Sequence, residues 1–132
     1  MRPRIVHHYK NRAGEEIKLV LKGHTYRVGD CDVDLFKIKS LASIFSRTPT
    51  TIRQWEAAGK FPEAKYRGTE GKRVKVFGIE TFMRFYSREQ LEMIIEVLEK
   101  YKFYQRRRDR AMPDEMFQEI RDKFYVCDEV NA

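Results

Sequence analysis

Cysteine is scarce. Cys31 and Cys127 lie 96 positions apart in a chain of 132 residues, with no C-x-x-C; this spacing argues against a disulfide framework and against a zinc site. No apolar run approaches the roughly 18 residues of a membrane span. The start, Met1-Arg2-Pro3-Arg4-Ile5-Val6-His7-His8, has no apolar h-region and does not read as a secretory signal. No stretch sets a basic face opposite Trp, Phe and Leu, as an interfacial helix would. Of the three histidines, His7, His8 and His24, none falls in a patterned segment or at the spacing of a nuclease centre. Asp30-Cys31-Asp32-Val33-Asp34 mimics the alternate acids of a calcium loop, but Leu35 stands where that loop needs Gly and Leu41 where it needs Glu. It reads as a solvated acidic turn. There is no Gly-rich phosphate loop and no nucleophile elbow. These absences point to a non-catalytic protein without metal or cofactor, in a reducing cytoplasm.

What is present is apolar enough for one core: hydrophobic residues make up 42%, with 9 Phe, 7 Tyr and 1 Trp, so wholesale disorder is excluded. Charge is uneven. The net charge is +7, and residues 112–132, with six acids and two bases, contribute −4 and leave +11 on residues 1–111. A basic body with an acidic tail suggests a polyanionic partner, and with no membrane feature that partner is nucleic acid.

Along the chain, residues 1–14 read as a basic arm. Alternation at Ile17, Leu19 and Leu21, broken at Lys22-Gly23-His24 and resumed at Tyr26 and Val28, predicts a small hairpin around the glycine. Gly29-Asp30-Cys31-Asp32 reads as a turn. Ile38, Leu41, Ala42 and Phe45 mark one face of a short helix. A second begins with Thr48 as N-cap and Pro49 at its first position, and ends at Gly59. Two short helices joined by a tight turn make a helix-turn-helix candidate. Residues 63–86 lose the helical period and read as a β-ribbon whose returning end is Met83-Arg84-Phe85-Tyr86. Ser87-Arg88-Glu89-Gln90 is a capping box before a helix striped by Leu91, Ile94, Ile95, Leu98 and Tyr101, widened by Met93 and Val97. After the basic joint Gln105–Arg110, Pro113-Asp114-Glu115 opens a last helix with Phe117, Ile120, Phe124 and Cys127 on its apolar face.

At 100° per residue, the Thr50–Ala58 helix gathers Ile52, Trp55 and Glu56 on one side, and Thr50, Arg53, Gln54 and Ala57 on the other. Small residues allow close approach to a major groove, where Arg can fork onto guanine and Gln onto adenine. The ribbon adds Lys60, Lys65, Arg67, Lys72, Arg73 and Lys75 against Glu63 and Glu70, a net of +4. Such a basic hairpin can lay cations along phosphates.

Thr51-Ile52-Arg53-Gln54-Trp55-Glu56-Ala57-Ala58-Gly59 resembles the T-I-R-x-W/Y-E-x-x-G signature of MerR-type winged helix-turn-helix proteins. Arg84-Phe85-Tyr86-Ser87-Arg88-Glu89-Gln90-Leu91 resembles their R-x-Y-S-x-x-x-L, and Phe36-Lys37-Ile38-Lys39-Ser40-Leu41-Ala42 their opening x-I-x-x-L-A. The likeness covers residues 36–98. Lys60-Phe61-Pro62 replaces the usual aliphatic pair and is similar to the phage and plasmid branch, the excisionases and the DNA-recognition domains of small terminase subunits. The resemblance implies that Thr50, Thr51, Arg53 and Gln54 face the major groove, that Arg67 and Arg84 hold phosphates, and that Trp55 sits partly in the core. Cys127 alone cannot make a metal sensor, and no added domain encloses a small-molecule effector.

The expected fold is α+β: an N-terminal arm and hairpin over residues 1–34, a winged helix-turn-helix domain over 35–103 and a C-terminal helical tail over 104–132. The expected function is sequence-directed binding of double-stranded DNA in a bacterial or phage-infected cell. Two uses compete, transcription regulator and accessory factor for recombination or packaging. A different class is an assembly subunit whose C-terminal helices bind a protein partner, and the broad stripe over residues 91–127 also suggests a homo-oligomer. Arg106, Arg107, Arg108 and Arg110 suit either DNA or an acidic partner, or a solvated linker.

Overall fold

A computed structural model describes residues 3–68, 74–76, 83–107 and 112–128, with only the backbone of Lys75 and Val76. The fold is α+β, with seven strands and four α-helices among the described residues. The N-terminal residues are not an arm. Strands β1 (Arg4–Lys10) and β2 (Glu16–Lys22) pair antiparallel from Arg4 opposite Lys22 to Lys10 opposite Glu16. Their turn is tied by Asn11, whose Oδ1 accepts from the Glu15 amide at 2.9 Å, and by Gly14 at φ 80°. The hairpin buries Ile5 and Leu21 and half-buries His7, Tyr9, Ile17 and Leu19, while Val6 and Val20 face outward.

The alternating runs on either side of Gly23 therefore do not pair with each other. Gly23 is a crossing rather than a turn: a Cβ there would meet the Leu35 carbonyl oxygen at 2.6 Å and the Phe36 ring at 2.9 Å. The chain passes through this gap directly into β3 (His24–Val28), which pairs antiparallel with β4 (Cys31–Lys37) around Gly29-Asp30, Gly29 taking φ 61°. The acidic stretch read as a turn is thus largely strand β4.

Strands β5 (Tyr66–Gly68), β6 (Val74–Val76) and β7 (Met83–Ser87) complete a closed five-stranded barrel in the order β3-β4-β7-β5-β6, shut by a parallel contact of Val28 with Val74. Tyr26, Leu35, Tyr66, Val74 and Phe85 fill it. Of the ribbon expected over 63–86, the described residues form β5, β6 and β7, and β7 is its returning strand, joined to β5 as well as to β4; residues 69–73 and 77–82 lie outside the described residues.

Helix α1 (Ile38–Ile44) leads through a turn with Ser46 at φ 54° into α2 (Pro49–Ala57). The Thr48 side chain caps α2 by accepting from the Thr51 amide, and Gly59, at φ 76°, follows the last turn. Helix α3 (Arg88–Lys100) starts at the reciprocal Ser87–Gln90 box and ends in a 3-10 turn at Phe103–Gln105. Helix α4 (Asp114–Phe124) packs on it. One core joins all of these parts, from Ile5 and Leu21 of the hairpin through Phe36, Phe45 and Ile52 to Leu91, Leu98, Ile120 and Phe124.

The α3 stripe is covered from within: Leu91, Ile94, Ile95 and Leu98 are buried, as are Met116, Phe117, Ile120 and Phe124 of α4. The width that suggested an oligomer through residues 91–127 is matched by intramolecular packing, so it no longer supplies an argument for one. Cys127 lies just beyond the end of α4, half-buried and packed against the same core as Ile120 and Phe124.

Candidate nucleic-acid interface

Helix α2 presents two faces, as its sequence predicts. Ile52 is fully buried and Trp55 is half-buried, edge-on to Phe45 at 5.1 Å and Phe117 at 5.2 Å. Thr50, Arg53, Gln54 and Ala57 are exposed, and Thr51 is half-buried with its hydroxyl 3.3 Å from that of Thr48. The outer face thus carries one guanidinium and one carboxamide among small groups. No described acid pairs with Arg53.

The inner face holds a charge. Glu56 is 8% exposed at its side chain and receives two arginines from the β-ribbon. Arg84 of β7 binds it in a fork, Nε to the two oxygens at 3.2 and 3.1 Å and Nη2 to Oε1 at 3.0 Å. Arg67 of β5 donates from Nη2 to Oε1 at 3.3 Å. Arg67 and Arg84 are register partners on adjacent strands, which is why one carboxylate can collect both. This buried triad fastens α2 to the ribbon. Tyr86 lies beside it with its hydroxyl buried and without a hydrogen-bond partner among the described residues. Burial, then the Glu56 charge, raise its pKa, so the phenol stays neutral.

The cations expected to hold phosphates therefore divide. Arg67 is 5% exposed at its side chain and is spent on Glu56; its geometry is that of an internal clamp, not of an open phosphate contact. Arg84 shares that clamp and keeps 22% of its side chain exposed. Lys65 is turned to Asp128, with Nζ 3.1 Å from Oδ1 and 15% exposure. Lys60 is exposed just beyond α2. Lys75 lies on β6, and Lys72 and Arg73 lie outside the described residues, as do Arg108 and Arg110.

Chain comparisons return nothing. No family model, no curated protein and no solved structure matches this chain. The geometry must carry the reading alone.

Sequence reasoning missed the partners of Glu56, although a signal was there: the wheel places a carboxylate on the core side of the helix, next to Ile52, and a buried charge requires a counter-charge. Asp128 was missed as well. Its carboxylate, 3% exposed, accepts from the Tyr66 hydroxyl at 2.6 Å and from the Ser87 hydroxyl at 3.1 Å, besides pairing with Lys65, and so pins the segment after α4 to β5 and to the α3 cap. Burial and this carboxylate push the Cys127 thiol up to about 11, leaving it protonated at neutral pH. Among the described residues no three His, Cys, Asp or Glu come together as metal ligands, and no described helix is long and apolar enough to cross a membrane.

Proposed function

We propose that the protein binds double-stranded DNA in a sequence-directed, non-catalytic way, and that α1, α2 and the ribbon β5–β7 act as a winged helix-turn-helix. The observation that carries this reading is the exposed Thr50–Arg53–Gln54 face on a helix whose opposite side is bolted to the ribbon by Glu56. A recognition helix must hold its side chains at a fixed depth and angle relative to the backbone contacts beside it. The clamp on Glu56 supplies that fixed relation. In this reading Arg53 and Gln54 meet base edges, Thr50 and Thr51 sit at the groove wall, and Lys60, Lys72, Arg73 and Lys75 contact phosphates. Arg67 and Arg84 act from within, by setting the angle of the helix.

The Lys60-Phe61-Pro62 sequence supports the phage and plasmid accessory role over the regulator. Its Phe61 is 2% exposed and meets Phe45 at 6.0 Å and Phe124 at 5.8 Å edge-on, so it packs the segment after α2 between the end of α1 and α4.

The test is fluorescence anisotropy against a pool of genomic duplex fragments near physiological salt, with bound fragments recovered and sequenced. Enrichment of a few related sites is expected. Arg53→Ala with Gln54→Ala should weaken binding to those sites by about 1–3 kcal/mol per lost base contact, with the thermal transition unchanged. Equal binding by the double variant, or no enrichment at all, would remove α2 as a reader of sequence.

A further inference from the structure

A cavity of about 410 Å³ opens between the β1–β2 hairpin, the turn joining α1 to α2 and the segment after α3. This is within the usual size of a small-ligand site, about 300–1,000 Å³. Its lining has two kinds of residue. Tyr9, Phe103 and Tyr104 form an aromatic wall, with the Tyr9 and Tyr104 rings stacked at 3.9 Å and Phe103 edge-on to Tyr104 at 5.3 Å. Around it stand Arg12, Arg47, Arg106 and Arg107, and among the described lining residues there is no acidic side chain. Arg106 is anchored, its Nε donating to the Tyr101 carbonyl at 3.1 Å. No described acid pairs with Arg12, Arg47 or Arg107.

Four guanidiniums gathered with no counter-charge among the described residues repel one another, and an anion would relieve that repulsion. An anion alone would have no use for the aromatic wall. A flat aromatic group joined to a phosphate uses both, by stacking on the rings and by taking the guanidinium forks. Paired bases inside a duplex cannot reach such a wall; an unstacked base can. We propose that this cavity is a nucleotide site, taking the base of one nucleoside phosphate at the aromatic wall, beside the mutually stacked Tyr9 and Tyr104, and its phosphate on Arg12, Arg47 and Arg107. The nucleotide comes either free from solution or as an unpaired unit of a nucleic-acid strand. The site is separate from the exposed face of α2, and Arg47 stands in the turn that leads into that helix.

Isothermal titration of the full chain with nucleoside 5′-monophosphates, nucleosides and inorganic phosphate tests the assignment. The monophosphates should bind at least roughly tenfold more tightly than either fragment, since each fragment lacks one of the two contacts. Arg12→Gln with Arg107→Gln, both on exposed residues, should weaken the nucleotide by roughly tenfold or more while leaving the thermal transition and blunt-duplex binding unchanged. The source is decided with two duplexes. If an unpaired overhang is the ligand, it should tighten binding over the blunt duplex, and the double variant should abolish that gain. If the ligand is free nucleotide, blunt and overhanging duplexes should bind alike, and mononucleotide should bind alongside either. Phosphate binding as tightly as nucleotide, or nucleotide and overhang binding untouched by the two substitutions, would overturn the proposal. Loss of blunt-duplex binding in the Arg53/Gln54 variant alone would leave it standing.

Discussion

Glu56 is the residue on which the arrangement of α2 turns. A carboxylate 8% exposed between two guanidiniums is largely removed from solvent and, among the described residues, is held by them. Removing the shared carboxylate of a buried ionic cluster leaves its positive charges less well compensated, which costs up to about 3–5 kcal/mol. Glu56→Ala is therefore expected to lose stability of that order in urea unfolding, well above the effect of an exposed change such as Gln54→Ala; a loss below about 1 kcal/mol would mean that water reaches the arginines. His7 makes a second, pH-dependent demand. Its Nε2 lies 3.4 Å from the Glu99 carboxylate but is buried without a hydrogen bond among the described residues. Burial lowers its pKa from 6.5, with His8 adding to the effect and Glu99 opposing it. The unfolded chain thus binds the proton more readily than the folded one, so stability is complete above about pH 6.5 and falls as the pH drops below it. Denaturation midpoints measured from pH 7.5 to 5.5 should decline for the parent protein and decline less for His7→Gln.

At the scale of elements, the helices were legible because their signals are local. Thr48 with Pro49, Gly59, and the Ser87–Gln90 box each sit within four residues of the end they define, and all three do in the fold what their chemistry predicts. The strands were legible only as segments. Nothing near Gly23 says that β2 looks back to β1 while β3 looks forward to β4, because that choice is made by Leu35 and Phe36 closing over the glycine from a distance. The site divides in the same way. The outer face of α2 follows from a wheel, whereas the destinations of Arg67 and Arg84 depend on two strands being in register beside one helix. The role of α4 follows from packing too. Phe124 is fully buried against Phe61 and Tyr86, and its carbonyl accepts from Gln90 Nε2 at 3.3 Å. Phe124→Ala should cost about 3–5 kcal/mol. Ending the chain at residue 111 should bare the α3 stripe and produce association, seen in sedimentation as species above monomer. A truncated chain that stays monomeric and cooperatively folded would show that α4 is only an appendage.

For the whole molecule the question is how much of the charge of +7 is available to a polyanion. Counting bases overstates it. Lys65, Arg67 and Arg84 neutralise Asp128 and Glu56, and Lys100 and Lys123 are committed to Glu119 at 2.7 and 2.9 Å, holding that carboxylate well below its usual range, at about 2. Each phosphate neutralised on duplex DNA contributes about −0.9 to the slope of log affinity against log salt. If Lys60, Lys72, Arg73 and Lys75 make the phosphate contacts, the slope should be no steeper than about −3.6. Single substitutions sharpen the test, since Lys60 and Lys65 stand only five positions apart and differ in whether they are already paired. Lys60→Gln should flatten the slope by about one and weaken all duplexes alike. Lys65→Gln should leave the slope where it was and lower stability instead, because the charge it removes belongs to Asp128. Equal effects of the two substitutions on the salt dependence would mean that the Asp128 pair opens when DNA binds, and that Lys65 joins the interface.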